Sequence, residues 1–131
     1  MQKMNGLPEA IRKCIEDCQE CSAECFETAM HMCLESGGEH TEPRHFRLMI
    51  NCAELCRTAA AFMLSRSAFH APLCRLCAEV CEACARSCEQ IGGMDHCVQW
   101  CRRCAASCRE ISGGDQPHSM LAEHSAARAH A

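Results

Sequence analysis

The chain of 131 residues has little of what normally fills a protein interior. It contains no tyrosine, one tryptophan and four phenylalanines, and Leu, Ile, Val and Phe together make up under 15% of it. A chain with so few large apolar side chains is normally expected to stay disordered, because it cannot bury enough apolar surface to fold. The 16 cysteines stand out against this background. Any interior must therefore be built largely from cysteine.

The sequence also lacks the features of nucleic-acid-binding and membrane proteins. Its formal net charge of −4 gives no basic surface for nucleic acid or anionic lipid. The longest apolar run, residues 59–64, is far shorter than the ~20 residues that span a bilayer. Residues 1–13 contain no apolar signal-peptide core and no twin arginine, which favours a cytoplasmic protein with reduced thiols.

Prolines and glycine pairs divide the chain into four segments. Pro8, Pro43 and Pro72 suit first helical turns, and glycine pairs suit helix ends. The segments between them are rich in good helix formers and do not alternate as strands do. Short connections then favour one domain, 1–112, as an all-α, antiparallel up-down-up-down four-helix bundle, with 113–131 as a mobile tail. The predicted helices are 8–35, 43–66, 72–91 and 94–112.

The cysteines recur at helical spacing. The pattern C-x3-C-x2-C-x3-C occurs three times and ends at Cys25, Cys88 and Cys108. Steps of four and three residues average 3.5, which is the spacing of core positions in packed helices. At 100° per residue, the four cysteines that end at Cys25 fall within about 60° of one another. The bundle is therefore expected to have a cysteine-lined core.

The second segment has a sparser core line, and one cysteine in the first segment departs from the pattern. His45, Met49, Cys52, Cys56 and Met63 share one face of the second helix. Every cysteine lies on such a line except Cys33, which a regular helix would rotate away by about 100°.

These cysteine lines allow three interpretations. Cysteine as a small buried hydrophobe suits a few positions, but Leu or Ile would stabilise so many core positions far better. Disulfides within a helix are disfavoured, because Cβ atoms at i and i+4 lie ~5–6 Å apart and a disulfide needs ~3.8 Å. Bridges between helices remain geometrically possible, although a reducing compartment disfavours them. Metal binding by thiolates is favoured.

Thiolates bind Cu(I), zinc and iron–sulfur clusters. One Cu(I) per thiolate leaves the core near neutral, whereas zinc with four thiolates leaves two negative charges per site. Iron–sulfur clusters are usually held by loops with a Cys-Pro step, and no cysteine here precedes a proline. We therefore predict multiple Cu(I) ions. A zinc or other thiophilic-metal buffer, an iron–sulfur electron-transfer protein and a metallochaperone or sensor remain alternatives.

The three cysteine tetrads, within a bundle of about residues 10–112, resemble the bacterial copper storage proteins and in particular their cytosolic branch. The resemblance implies a cytoplasmic homotetramer of four-helix bundles that stores many Cu(I) ions for copper homeostasis. It also implies exchange with copper carriers or chaperones through one end of each bundle. No Ser/His/Asp set and no phosphate loop is present, so no enzymatic activity is predicted.

Imidazole and thioether groups gather at the end of the bundle that holds the first and third connections. Met32, His45 and Met49 lie on core lines there and are predicted to be weaker ligands at an entrance, whereas His31 and His96 lie off them. Met63, at the opposite end, suits either a ligand or a core filler. The predicted metal ligands are Cys14, Cys18, Cys21, Cys25, Cys33, Cys52, Cys56, Cys74, Cys77, Cys81, Cys84, Cys88, Cys97, Cys101, Cys104, Cys108, His45, Met49, Met32 and Met63.

Overall fold

The computed structural model describes residues 6–113, and within them it contains helices and no strand. The four long helices are α1 (Glu9–Glu27), α2 (Pro43–Leu64), α3 (His70–Ile91) and α4 (Asp95–Ser112). Each helix packs against the helices before and after it in sequence, and α1 also packs against α4. The helices therefore enclose one core, which confirms the predicted all-α four-helix bundle. Residues 114–131, nearly all of the predicted tail, lie outside the described range.

The helix ends follow local chemistry. The Glu42 side chain accepts a hydrogen bond from the His45 backbone N–H at 3.0 Å and so caps the start of α2, where Pro43 is the first residue. Helix α3 begins at His70, two residues before the position predicted from Pro72. Pro72 still lies in the first turn, where its missing N–H breaks no helical hydrogen bond. Helix α4 is followed by Gly113 in the left-handed conformation, with φ of 96°.

The first helix continues beyond Glu27 in an unexpected form. A π-helical segment, Thr28–Cys33, leads into a final α-helical turn, Leu34–Ser36. Because π-helical hydrogen bonds span five residues instead of four, the segment uses one extra residue. The residues after it are therefore rotated by about 100° relative to a regular helix.

This rotation corrects two sequence predictions about the end of the first helix. Cys33, expected away from the core, is fully buried with 0% exposure. Met32, expected on the core line, is 38% exposed, so its predicted place in the core is wrong. One extra residue in the helix accounts for both differences.

Charged side chains join the helices outside the cysteine core. Arg102 pairs with Glu89 at 2.7 Å and links α4 to α3. Asp17 on α1 is buried and forms ion pairs with Lys13 on the same helix at 3.1 Å and with Arg103 on α4 at 3.4 Å. It also accepts a hydrogen bond from the Ser107 hydroxyl on α4. These contacts fix how the helices face one another. No helix in residues 6–113 combines the length and apolar character needed to cross a membrane.

Candidate metal centre

The centre of the bundle is a continuous column of sulfur atoms. All 16 cysteines are free thiols and all are buried. Sulfur atoms from different helices lie in contact: Cys18 Sγ is 3.5 Å from Cys104 Sγ. Cys25 Sγ is also 3.5 Å from Cys97 Sγ. Both distances far exceed the ~2.05 Å of a disulfide bond. Neighbouring cysteines are thus reduced thiols, and they lie close enough together to share a metal ion.

Within residues 6–113, the thiols form five overlapping groups whose Sγ atoms all lie within 4.8 Å of one another. Consecutive groups share at least one cysteine, so they join into a chain along the bundle axis. In order along the axis, the groups are Cys14, Cys74 and Cys108; Cys18, Cys77, Cys104 and Cys108; Cys21, Cys56, Cys81 and Cys104; Cys21, Cys25, Cys52 and Cys101; and Cys25, Cys84, Cys97 and Cys101.

This spacing suits ions that bind few sulfurs each. A linear two-thiolate site needs sulfurs about twice a ~2.3 Å metal–sulfur bond apart. Contacting thiols in the column are 3.5–4.0 Å apart, as for Cys56 and Cys81 at 3.5 Å and Cys77 and Cys81 at 4.0 Å. Small rotations about χ1 therefore open a pair to accept an ion, and a shared thiolate can bridge to the next one.

Burial and neighbouring thiols favour the protonated form of Cys33 and Cys25. Burial raises the pKa of Cys33, and the nearby Cys97 and Cys84 add to the shift. Hydrogen bonds with Cys101 and Cys21 raise the pKa of Cys25, and its burial acts in the same direction. Because few thiols in such a core can ionise together, a metal ion must displace protons as it binds.

Nitrogen and thioether groups extend the column at the end where α2 and α4 begin. Cys33 Sγ lies 3.7 Å from His45 Nε2 and 3.7 Å from Met94 Sδ. Met49 Sδ lies 3.3 Å from Cys88 Sγ. All these side chains are buried, so the column passes from thiols to a mixed set of Cys, His and Met donors.

His45 is held in a form that can bind a metal ion. Its Nδ1 shares a 2.7 Å hydrogen bond with the Ser87 hydroxyl, which leaves Nε2 directed at Cys33. Burial lowers the pKa of His45, and the neighbouring His40 lowers it further. A neutral imidazole with a fixed ring is the state that coordinates metal.

The structure brings most of the predicted ligands together. Besides the cysteines, His45 and Met49 contact the thiol column, whereas Met32 is exposed. Met63 is buried, but no hydrogen-bond contact joins its sulfur to a cysteine among the described residues. His31 is exposed beside Glu35, and His96 is exposed, as their off-line positions predicted.

Met94 was missing from the predicted ligands. It is 3% exposed and contacts Cys33. A signal for it exists in the sequence, because Met94 precedes Cys97 by three residues and Cys101 follows by four. Extending the 3-4 spacing one step back past the start of α4 would have found it.

The profile of the family described as Csp, copper storage protein, matches residues 7–113. The chain belongs to the copper storage protein family. This confirms the family predicted from the cysteine tetrads, and the matched range includes every cysteine and all four helices.

Solved structures of similar proteins agree with this family. A crystal structure from Nitrosospira multiformis is 50% identical, with a TM-score of 0.79 over 80% of this chain and 96% of that one. The Cu(I)-bound copper storage protein BsCsp3 is 32% identical, with a TM-score of 0.74 over 79% and 99%. An apo Csp3 from Bacillus subtilis gives 34% identity and a TM-score of 0.64 over 77% and 97%.

One sequence relative matches only in part. It is an uncharacterized cysteine-rich protein of Bacillus subtilis, 36% identical over 66 residues. The alignment covers 50% of this chain and 60% of that protein. This chain therefore spans less than two thirds of the length of that relative.

Proposed function

We propose that this protein stores Cu(I) along the thiol column, as its membership of the copper storage protein family supports. The observation that carries the proposal is the chain of overlapping thiol groups from Cys14 to Cys97 within one buried core. A transfer protein needs one accessible pair of thiols, and an iron–sulfur protein needs one closed set of ligands. A buried column with many equivalent pairs suits neither and suits a store.

Charge supports Cu(I) as the stored ion. Each thiol that loses a proton gains one positive charge from Cu(I), so filling the column leaves its charge near zero. Bridging thiolates such as Cys104, which belongs to two groups, allow neighbouring ions to share sulfur. The protein then needs no catalytic group, and we propose a non-enzymatic role.

Zinc is the second candidate, because several groups offer four sulfurs, the usual number for structural zinc. Consecutive groups share cysteines, however, so they cannot all hold a separate zinc ion with four thiolates of its own. Each such site would also keep two negative charges in a buried core. Both arguments favour Cu(I) over zinc.

The ligands that we propose are all the cysteines, with His45, Met49 and Met94 at the mixed-donor end. Thioether and imidazole bind Cu(I) less tightly than thiolate does, so ions that enter there would move on to the thiols. The contacts of Cys33 with His45 and Met94 support this order. Met63 is buried and is proposed as a core filler, because its sulfur makes no such contact within residues 6–113.

We propose a cytoplasmic homotetramer that exchanges copper with carriers. An exposed apolar stripe supports self-association: Phe26 is 51% exposed and Leu34 is 52% exposed, with Met30 between them. Light scattering coupled to size-exclusion chromatography tests the assembly, and a monomer at micromolar concentration would contradict it.

Diffraction from crystals of the copper-loaded protein at the copper absorption edge tests the storage proposal. We expect a row of anomalous peaks along the axis, each within ~2.3 Å of two or more sulfurs. A single compact cluster would point to a cofactor. A second crystal, of protein from cells grown without added copper, tests the zinc buffer. Anomalous peaks at the zinc absorption edge and none at the copper edge would favour it.

A further inference from the structure

A concave groove opens beside the mixed-donor end, between α2 and α3. Its volume is about 530 Å³, larger than the other grooves described, of about 380 and 280 Å³. Leu48, Ala83 and Ile91 supply apolar lining. Small-molecule sites typically measure 300–1,000 Å³. The size therefore fits a molecule of a few residues rather than a folded partner.

Both signs of charge border this groove. Arg44 projects from α2 and Arg86 from α3, and both are exposed. Among residues 6–113, the only ion pair of Arg86 is a long 3.9 Å contact with Glu82, and Arg44 makes no ion pair. Glu39 and Glu42 border the same groove. The arginines can receive carboxylates and the glutamates an ammonium group.

The groove also reaches the metal column. His45 and Ser87 form part of its wall. His45 contacts Ser87 through Nδ1 at 2.7 Å and faces Cys33 Sγ through Nε2 at 3.7 Å. A molecule seated in the groove thus lies one side chain away from the first thiol of the column.

We propose that this groove binds a low-molecular-weight thiol peptide of the glutathione class, which delivers Cu(I) to Cys33. Such a peptide carries two carboxylates and one ammonium group, which match the two arginines and the glutamates. Its thiolate, which binds Cu(I), would lie in a groove whose wall includes His45. The inference rests on the proposed storage function and names the carrier that serves it.

The transfer is a ligand exchange without redox change. The bond between Cu(I) and the carrier sulfur breaks, and a bond between Cu(I) and Cys33 Sγ forms. The proton of the Cys33 thiol ends on the carrier sulfur, which leaves as a neutral thiol. His45 Nε2, which lies 3.7 Å from Cys33 Sγ, is placed to bind the ion during this exchange.

Loading kinetics from two copper donors test the proposal. Apo protein is mixed anaerobically with Cu(I)–glutathione or with Cu(I) in acetonitrile, and thiolate-to-copper charge-transfer absorbance is followed. For the double variant Arg44→Gln/Arg86→Gln, we expect loading from Cu(I)–glutathione to slow three- to tenfold. Loading from Cu(I) in acetonitrile should not change.

The matched control is Arg12→Gln/Arg57→Gln, which removes the same charge from exposed arginines that pair within their own helices, with Glu9 and Glu54. It should load like the parent from both donors. S-methylglutathione keeps the charged groups but lacks the thiol. It should slow loading from Cu(I)–glutathione and leave loading from Cu(I) in acetonitrile unchanged.

Equal rates from Cu(I)–glutathione for the groove variant and the control would overturn the inference. Equal slowing from both donors, by the variant or by S-methylglutathione, would overturn it too. The final copper content separates this result from failure of storage. If every variant fills its column with copper and the groove variant shows no preference between the two copper donors, only the proposed carrier groove is refuted. If the final copper content is low in every variant, the storage function itself is refuted.

Discussion

The π-helical segment Thr28–Cys33 decides which of two adjacent side chains enters the core. On a regular helix, position 32 would lie seven residues after Cys25 and about 20° from it in rotation, whereas position 33 would lie about 80° away. The extra residue reverses this order, so Cys33 is 0% exposed and Met32 is 38% exposed. Exchanging the two residues therefore tests the local fold directly.

The double variant Met32→Cys/Cys33→Met should place a thiol at the surface and a thioether in the core. Alkylation of the apo protein with iodoacetamide, followed by peptide mass spectrometry, reports each position. A buried thiol reacts only after local opening, and an opening free energy of ~2–3 kcal/mol slows its reaction about 30- to 150-fold. Cys33 in the parent should show this protection, and the thiol at position 32 of the variant should not.

Deletion of Met30 supplies the control. Met30 is 37% exposed within the π-helical segment, and its loss removes the extra residue. The helix can then become regular with Cys33 seven residues after Cys25, so Cys33 should stay protected. Protection at position 32 in the exchanged variant, together with rapid alkylation of Cys33 in the parent, would refute the π-helical register.

Three further predictions follow from the core and the ion pairs. Burial raises the pKa of Cys33 above its ordinary 9.0 in the folded protein, so the stability that this thiol contributes is present below pH 9 and is lost as the pH rises through its folded-state pKa. Thermal circular dichroism should therefore show a lower melting temperature of the apo protein above about pH 9, and no such fall for the copper-loaded protein. Asp17→Ala should lower the free energy of unfolding by about 1–3 kcal/mol in urea titrations, because it leaves Ser107 and Arg103 without their buried partner. The exposed control Glu16→Ala should change the free energy of unfolding by less than about 0.5 kcal/mol. Equal effects of the two substitutions would contradict the role of Asp17. Copper binding should release about one proton per thiol ligated, measured in weakly buffered titrations, and release of none would mean that the apo thiols are already ionised.

The bundle and its thiol column could be predicted because both depend on spacing. Steps of three and four residues keep a side chain on one face of any helix, so the tetrad ending at Cys108 needs no knowledge of its neighbours. The same rule places His45 and Met49 in the core. These residues lie in regular helices, where rotation accumulates evenly.

The register after Glu27 could not be predicted in the same way. The segment Thr28–Cys33 contains ordinary helix-compatible residues, and no proline or glycine marks the extra residue. Its register places Cys33 against His45 and Met94, which come from distant parts of the chain. Tertiary contacts of this kind outweigh local helix geometry.

The spacing of residues along the sequence also does not predict ion pairs between helices. Arg102 and Arg103 both have exposed side chains on α4. The structure pairs Arg102 with Glu89 and Arg103 with the buried Asp17, while the Arg103 guanidinium also lies 5.0 Å from the centre of a Trp100 ring. Such partners become identifiable only once the neighbouring helices are placed.

An anaerobic titration of the fully reduced protein with Cu(I), against a competing chromogenic chelator, tests the central claim most directly. A continuous column of shared thiolates should take up about one ion per cysteine, about 16 per chain, before the chelator competes. Saturation at about one to four ions per chain would contradict a store and indicate a carrier, a sensor or a different native metal.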